Sequence, residues 1–156
     1  MFVKKFILVI ILILTQSCGF SPMYSKGNLD SNFYIVELKF DGDRLINNYL
    51  ENGLTKFNNI DANKKYKIEI FTDYKKNILT KDLTGTATDY QLLLNTTINI
   101  NQTHLDKEKN YTIKFTDKFN IKKFDDTFEE DSYERTIKKN FSETLISKII
   151  LNLSSN

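Results

Sequence analysis

Asp125, Asp126, Glu129, Glu130 and Asp131 form the only dense carboxylate cluster in the chain. Two carboxylates at a fixed separation are enough for acid–base cleavage of a glycosidic bond, so the run is the first place to look for a reaction. Its order does not fit a calcium loop, which needs a glycine at its centre. It also directly precedes a helical pattern, where negative charge meets the positive end of the helix dipole. The cluster is therefore read as a helix start. His104 is the single histidine and lies in an expected turn between Thr103 and Leu105. Any Ser–His or Cys–His catalysis would have to use it, with no supporting motif. Cysteine also occurs once, at Cys18, which leaves no zinc constellation and no internal disulfide. There is no GxSxG elbow, no phosphate-cradling GxxxxGK and no GxGxxG. Nothing here calls for an enzyme, a metal or a cofactor, and none is expected.

Cys18 takes its meaning from its position. The chain opens MFVKK, continues with the nine apolar residues FILVIILIL at 6–14, and meets the small polar TQS just before the cysteine. Nine residues rise only about 14 Å as a helix, against the roughly 20 residues a bilayer span needs. Residues 1–17 therefore read as a removable signal peptide. A lone cysteine at such a cut resembles the acceptor of a bacterial lipoprotein, with Cys18 lipidated on its sulfur and new amino terminus. Several acyl chains would hold the chain to a membrane stably, where one would not.

Cleavage removes Lys4 and Lys5 and no acid, so the 22 basic residues fall to 20 and match the 20 acidic ones. A nucleic-acid binder normally carries a strong basic excess, and no nucleic-acid partner is expected. Residues 18–32, rich in small polar residues with Pro22 and two glycines, read as the lipidated N-terminus and tether. Residues 33–156 are expected to form a single α/β domain.

The elements follow from periodicity. NFYIVELKF is aromatic and β-branched, a strand signal. Leu45, Ile46, Tyr49, Leu50, Leu54 and Phe57 recur at helical spacing. Tyr66, Ile68 and Ile70 alternate with Lys67 and Glu69 and predict a second strand over KYKIEIFTDY; KKNILTKDLTG is expected as a polar loop. TATDYQLLLNTTINI places Tyr90, Leu92, Leu94, Thr96, Ile98 and Ile100 on one side of a third strand. Gln91, Leu93, Asn95, Thr97 and Asn99 take the other, a face that is hydrated or meets a polar partner. A turn around HLDKEKN leads to a fourth strand with Tyr111, Ile113 and Phe115 on one side. From Phe128 the period is helical, with Tyr133, Ile137, Phe141, Leu145, Ile149 and Leu153 four residues apart, for about 25 residues. The expected fold class is α+β: a four-stranded mixed sheet with two helices packed on one face, order βαβββα, and the other sheet face polar.

Local lysine clusters remain: Lys64, Lys65 and Lys67, then Lys75, Lys76 and Lys81, then Lys107 and Lys109. Lysines at strand ends discourage aggregation; on loop tips they are also point charges suited to the phosphate of a phosphorylated glycolipid.

Three stretches together resemble one family. CGFSPMY is similar to the CGFxPLY start of the lipopolysaccharide-assembly lipoproteins, LptE, of the alphaproteobacterial type. LTGTATDYQLLLNTTINI resembles that family's GTATRxxLxxxxxYxL. The C-terminal FNIKKFDDTFEEDSYERTIKKNFSETLISKIILNL is similar to its last strand, loop and amphipathic helix, although Tyr133-Glu134 stands where the family has Tyr-Ala. The resemblance covers nearly the whole chain in order. It implies a non-enzymatic lipoprotein on the periplasmic face of the outer membrane, held there through lipid on Cys18. Its partners would be the LptD β-barrel, whose lumen it plugs, and lipopolysaccharide, with Lys75, Lys76 and Lys81 as expected contacts. The alternative is an auxiliary lipoprotein of an ABC-type lipid transporter. A third reading, a periplasmic hydrolase, requires two carboxylates of the 125–131 cluster to face each other in a cleft.

Overall fold

A computed structural model describes residues 32–104 and 107–155. The expectations for the signal segment, Cys18 and the tether fall on residues outside the described ones. The chain forms β1 (Phe33–Gly42), α1 (Arg44–Leu54) closed by a 3-10 turn at Thr55–Phe57, β2 (Lys64–Lys81), β3 (Ala87–His104), β4 (Lys107–Lys122) and α2 (Thr127–Ser155). This is the expected order and class. The sheet runs β1-β2-β3-β4, with β1 parallel to β2 and the other pairs antiparallel.

Each helix begins at an aspartate that fills orphan N–H groups of the first turn. Asp43 Oδ1 accepts from Leu45 and Ile46, both at 3.0 Å, and Asp126 Oδ1 accepts from Phe128 at 2.7 Å and Glu129 at 3.1 Å. The apolar stripes then meet the sheet. Ile46, Leu50 and Leu54 of α1 and Ile137, Leu145, Ile149 and Leu153 of α2 are buried with Tyr66, Ile68, Ile70, Leu92, Leu94, Ile98 and Ile100 of the sheet. Each fully buried aliphatic side chain of this set contributes about 1.5–3 kcal/mol. At the far end of α2 the Tyr66 hydroxyl donates to the Leu153 carbonyl at 3.0 Å, one of the acceptors a helix end leaves open. Burial and the neighbouring Tyr111 push that phenol up to about 12.

Three expectations are corrected. Residues 75–81 are not a loop: β2 continues through them, with Lys75 opposite Leu93, Lys76 opposite Leu92 and Ile78 opposite Tyr90. The turn itself is confined to 82–86, where Asp82 Oδ1 accepts from the Thr84 and Thr86 N–H groups, each at 2.9 Å. Likewise the turn expected over 104–110 gives way to an unbroken ladder from His104–Lys107 to Asp89–Lys122. The buried stripe of α2 also starts later than the spacing suggests. Tyr133 is 38 % exposed and stacks on Phe124 at 5.4 Å between ring centroids, and the first buried apolar residue of the helix is Ile137.

Candidate functional site

The sheet face turned away from both helices is mainly polar, as the alternation of β3 predicts, with Phe71, 41 % exposed, and Leu93 among its apolar members. Three of its amides are bonded to β4: Thr112 Oγ1 donates to Asn99 Oδ1 at 2.8 Å, Thr116 Oγ1 to Asn95 Oδ1 at 3.0 Å, and Gln91 Nε2 to Asn120 Oδ1 at 3.3 Å. Charges on the β1–β2 half pair among themselves, Lys39 with Glu37 at 2.9 Å and Lys75 with Asp73 at 2.7 Å. A hollow of about 530 Å³ opens here over Lys39, Glu69, Asn99 and Thr112. Amides, hydroxyls and paired charges can bind a hydrogen-bonding partner or water. They supply no nucleophile with a base beside it.

The opposite face holds a polar cluster where apolar packing gives out. The first ten residues of α2 bury no apolar side chain, and ions hold this part of the helix to the sheet. Lys76 Nζ reaches Glu130 Oε1 at 2.6 Å and Glu134 Oε2 at 3.1 Å. Tyr74 donates to Glu134 Oε1 at 2.9 Å, and Lys138 lies over the Tyr74 ring at 4.0 Å while pairing with Asp43 Oδ2 at 2.9 Å. Burial opposes the charge on Lys76, but Glu130 and Glu134 outweigh it and raise its pKa. The Lys76 ammonium, aided by the Phe124 N–H and against partial burial, holds Glu130 below the usual carboxylate range. Burial, then the bond to Glu134, pushes the Tyr74 phenol well up.

Lys75, Lys76 and Lys81 are therefore not one site. Lys75 faces the open side, Lys76 the helix side, and Lys81 ends β2 in solvent. The carboxylate run is likewise dispersed: Asp126 caps α2, Glu130 serves Lys76 and the Phe124 N–H at 3.0 Å, and Asp125, Glu129 and Asp131 are exposed. It forms no facing pair in a cleft, and among the described residues no group of three or more His, Cys, Asp or Glu side chains is placed to hold a metal ion. His104 ends β3 opposite Lys107. Sequence reasoning missed Asp43, Tyr74, Glu134 and Lys138 as one cluster. The signal for Asp43 was present, an aspartate directly before a helical period. Glu134 joins the cluster by receiving both Tyr74 and Lys76.

No protein-family model matches the chain, and no curated protein matches it in sequence. In three dimensions it shares its fold with a class of small bacterial lipoproteins. It is similar to rare lipoprotein B from Shewanella oneidensis, at 12 % identity and a TM-score of 0.56 over 76 % of this chain and 95 % of that one. A candidate lipoprotein from Caulobacter crescentus matches at 13 % identity and a TM-score of 0.50, over 80 % of this chain and 89 % of its own. An uncharacterized lipoprotein B from Nitrosomonas europaea matches at 15 % identity and a TM-score of 0.51, over 85 % and 92 %.

Proposed function

We propose that the chain is a non-enzymatic outer-membrane lipoprotein, anchored on the periplasmic face through Cys18, that plugs the LptD β-barrel and assists assembly of lipopolysaccharide at the cell surface. The observation that carries the reading is a conjunction. Cys18 opens the CGFSPMY stretch behind a signal-like segment, and the domain that follows has the fold of rare lipoprotein B, a name belonging to the LptE family. The open sheet face supports it physically. Barrel interiors are polar and hydrated, and a plug needs an outer surface rich in amides, hydroxyls and charges such as this face presents.

The test is an affinity pull-down of C-terminally tagged protein from detergent-solubilised envelopes. A large, heat-modifiable barrel recovered in equal amount is the expected result. Recovery with an inner-membrane ATPase complex and no barrel would replace this reading with that of an auxiliary transporter lipoprotein.

A further inference from the structure

We propose that the free edge of β4 is a docking site for an added strand of a partner protein, one whose acidic side chains alternate with apolar ones. The two edges of the sheet differ sharply. At the start of β1 the outward peptide groups are already used: Asn58 Oδ1 accepts the Ile35 N–H at 2.6 Å, Asn58 Nδ2 donates to the Ile35 carbonyl at 3.2 Å, and the Asn59 N–H donates to the Phe33 carbonyl at 3.2 Å. A bulge between Ile35 and Glu37 breaks its register as well. β4 is 16 residues long, pairs with β3 without a register shift and contains no proline.

The phase of the ladder identifies the unused groups. The Lys123 N–H donates to the Thr88 carbonyl at 2.8 Å, so odd-numbered residues of β4 turn their peptide groups to β3. Even-numbered residues, Glu108 to Lys122, turn theirs outward. Among the described residues no other element bonds these outward groups.

The side chains then say what kind of strand fits. The even-numbered ones face the open side and include Lys114 and Lys118, neither in an ion pair among the described residues. Lys122 follows, opposite Asp89. On the helix side the edge shows Phe119, 41 % exposed, and the half-buried Ile113 and Phe115. A strand laid here meets lysines on one face and aromatic and aliphatic surface on the other, which calls for acid and apolar side chains in alternation. A second copy of this chain does not suit. Two-fold antiparallel pairing about Lys118 sets it against itself and Lys114 against Lys122, and pairing about Thr116 sets Lys114 against Lys118. The lysines thus keep copies apart while leaving the edge open to an acidic strand. This inference does not depend on the barrel reading.

The probe is a short dye-labelled peptide alternating Glu with Val, compared with its Lys–Val counterpart by fluorescence anisotropy against the full chain in neutral detergent. The Glu peptide binds at least about tenfold more tightly, and the Lys114→Glu/Lys118→Glu variant reverses the preference. Hydrogen exchange slows at the even-numbered amides of β4. Methylating alternate amides of the Glu peptide abolishes binding although its charge is unchanged, which separates strand addition from simple attraction. Equal binding of the two peptides, retained binding after methylation, or protection elsewhere overturns the proposal. So does protection of these amides in the peptide-free chain, which would mean that a second copy or the chain's own residues already occupy the edge. Because the assay needs no barrel, its failure leaves the pull-down result standing, and the converse holds.

Discussion

Lys138 Nζ lies 2.9 Å from Asp43 Oδ2, across 95 residues of sequence, and joins the start of α1 to α2. Asp43 does three things at once: its other oxygen caps α1, its carboxylate pairs with Lys138, and its own N–H donates to Thr72 Oγ1 at 2.9 Å. Asp43→Ala removes the cap and leaves the largely buried Lys138 ammonium only the longer pair with Glu134 Oε1 at 3.7 Å, so it is expected to cost about 2–3 kcal/mol in urea unfolding. Asp43→Asn keeps a capping oxygen and loses only the charge, and its loss should be about half as large. Equal losses for the two would show that the Lys138 pair, and not the cap, carries the effect.

The same cluster sets how stability depends on pH. Burial opposes ionisation of Asp43, yet the Ile46 N–H, Lys138 and the Leu45 N–H together hold it below its ordinary 3.8. Glu130 is held below 4.5, chiefly by Lys76. A depressed carboxylate contributes stability that is present above its unfolded value and lost as pH falls through the folded one. Lys76 is raised above 10.5, so its contribution is complete below that value and disappears only as pH rises through its folded pKa. The urea midpoint should therefore be nearly flat through neutral pH and fall on acidification below about pH 4.5. Asp43→Asn should flatten part of that acid slope, and an unchanged slope would remove Asp43 from the account.

Gly42 and Gly85 both have positive φ, 101° and 86°, but their surroundings differ. A Cβ on Gly42 would stand 1.8 Å from the Thr72 carbonyl oxygen, which is backbone and cannot move aside, whereas nothing lies within 4 Å of one on Gly85. Gly42→Ala should cost about 3 kcal/mol or more, from clash and strain together. Gly85→Ala should cost only the left-handed backbone penalty, about 1 kcal/mol. Thermal unfolding of the two variants checks the contrast.

What was readable in the sequence followed the local period. Tyr66, Ile68 and Ile70, and the alternation from Tyr90 to Ile100, mark strands because the inward positions, Thr96 apart, are apolar and the outward ones, Leu93 apart, are polar. The apolar alternation of β2 ends at Tyr74 because the next inward position is Lys76, and a charge there breaks the period. The groups that satisfy it, Glu130 and Glu134, come 54 and 58 residues later, where no local pattern can announce them. The same limit explains the carboxylate run. Asp126 as a helix cap is visible from its neighbours, while the attachment of Glu130 to β2 is a tertiary fact. Lys75, Lys76 and Lys81 form one basic cluster only in a loop; the alternation of a strand sends them to different sides.

That alternation separates the three lysines in a way a lipopolysaccharide-binding assay can use. Lys75 and Lys81 are exposed, and on the proposed function Lys75→Glu/Lys81→Glu should weaken binding of purified lipopolysaccharide while leaving the unfolding free energy within about 0.5 kcal/mol of the parent. Lys76→Glu behaves differently. It sets a third carboxylate beside Glu130 and Glu134, whose side chains are only 13 % and 16 % exposed, and should cost about 3 kcal/mol, the low end for breaking a buried pair because Lys76 keeps some contact with water. Lys76→Met, which removes the charge without adding a repulsive one, should fall between. If the Lys75/Lys81 variant binds lipopolysaccharide as well as the parent, neither residue contacts it. If Lys76→Glu unfolds no more easily than the parent, the ions are not what holds the first turns of α2 to the sheet.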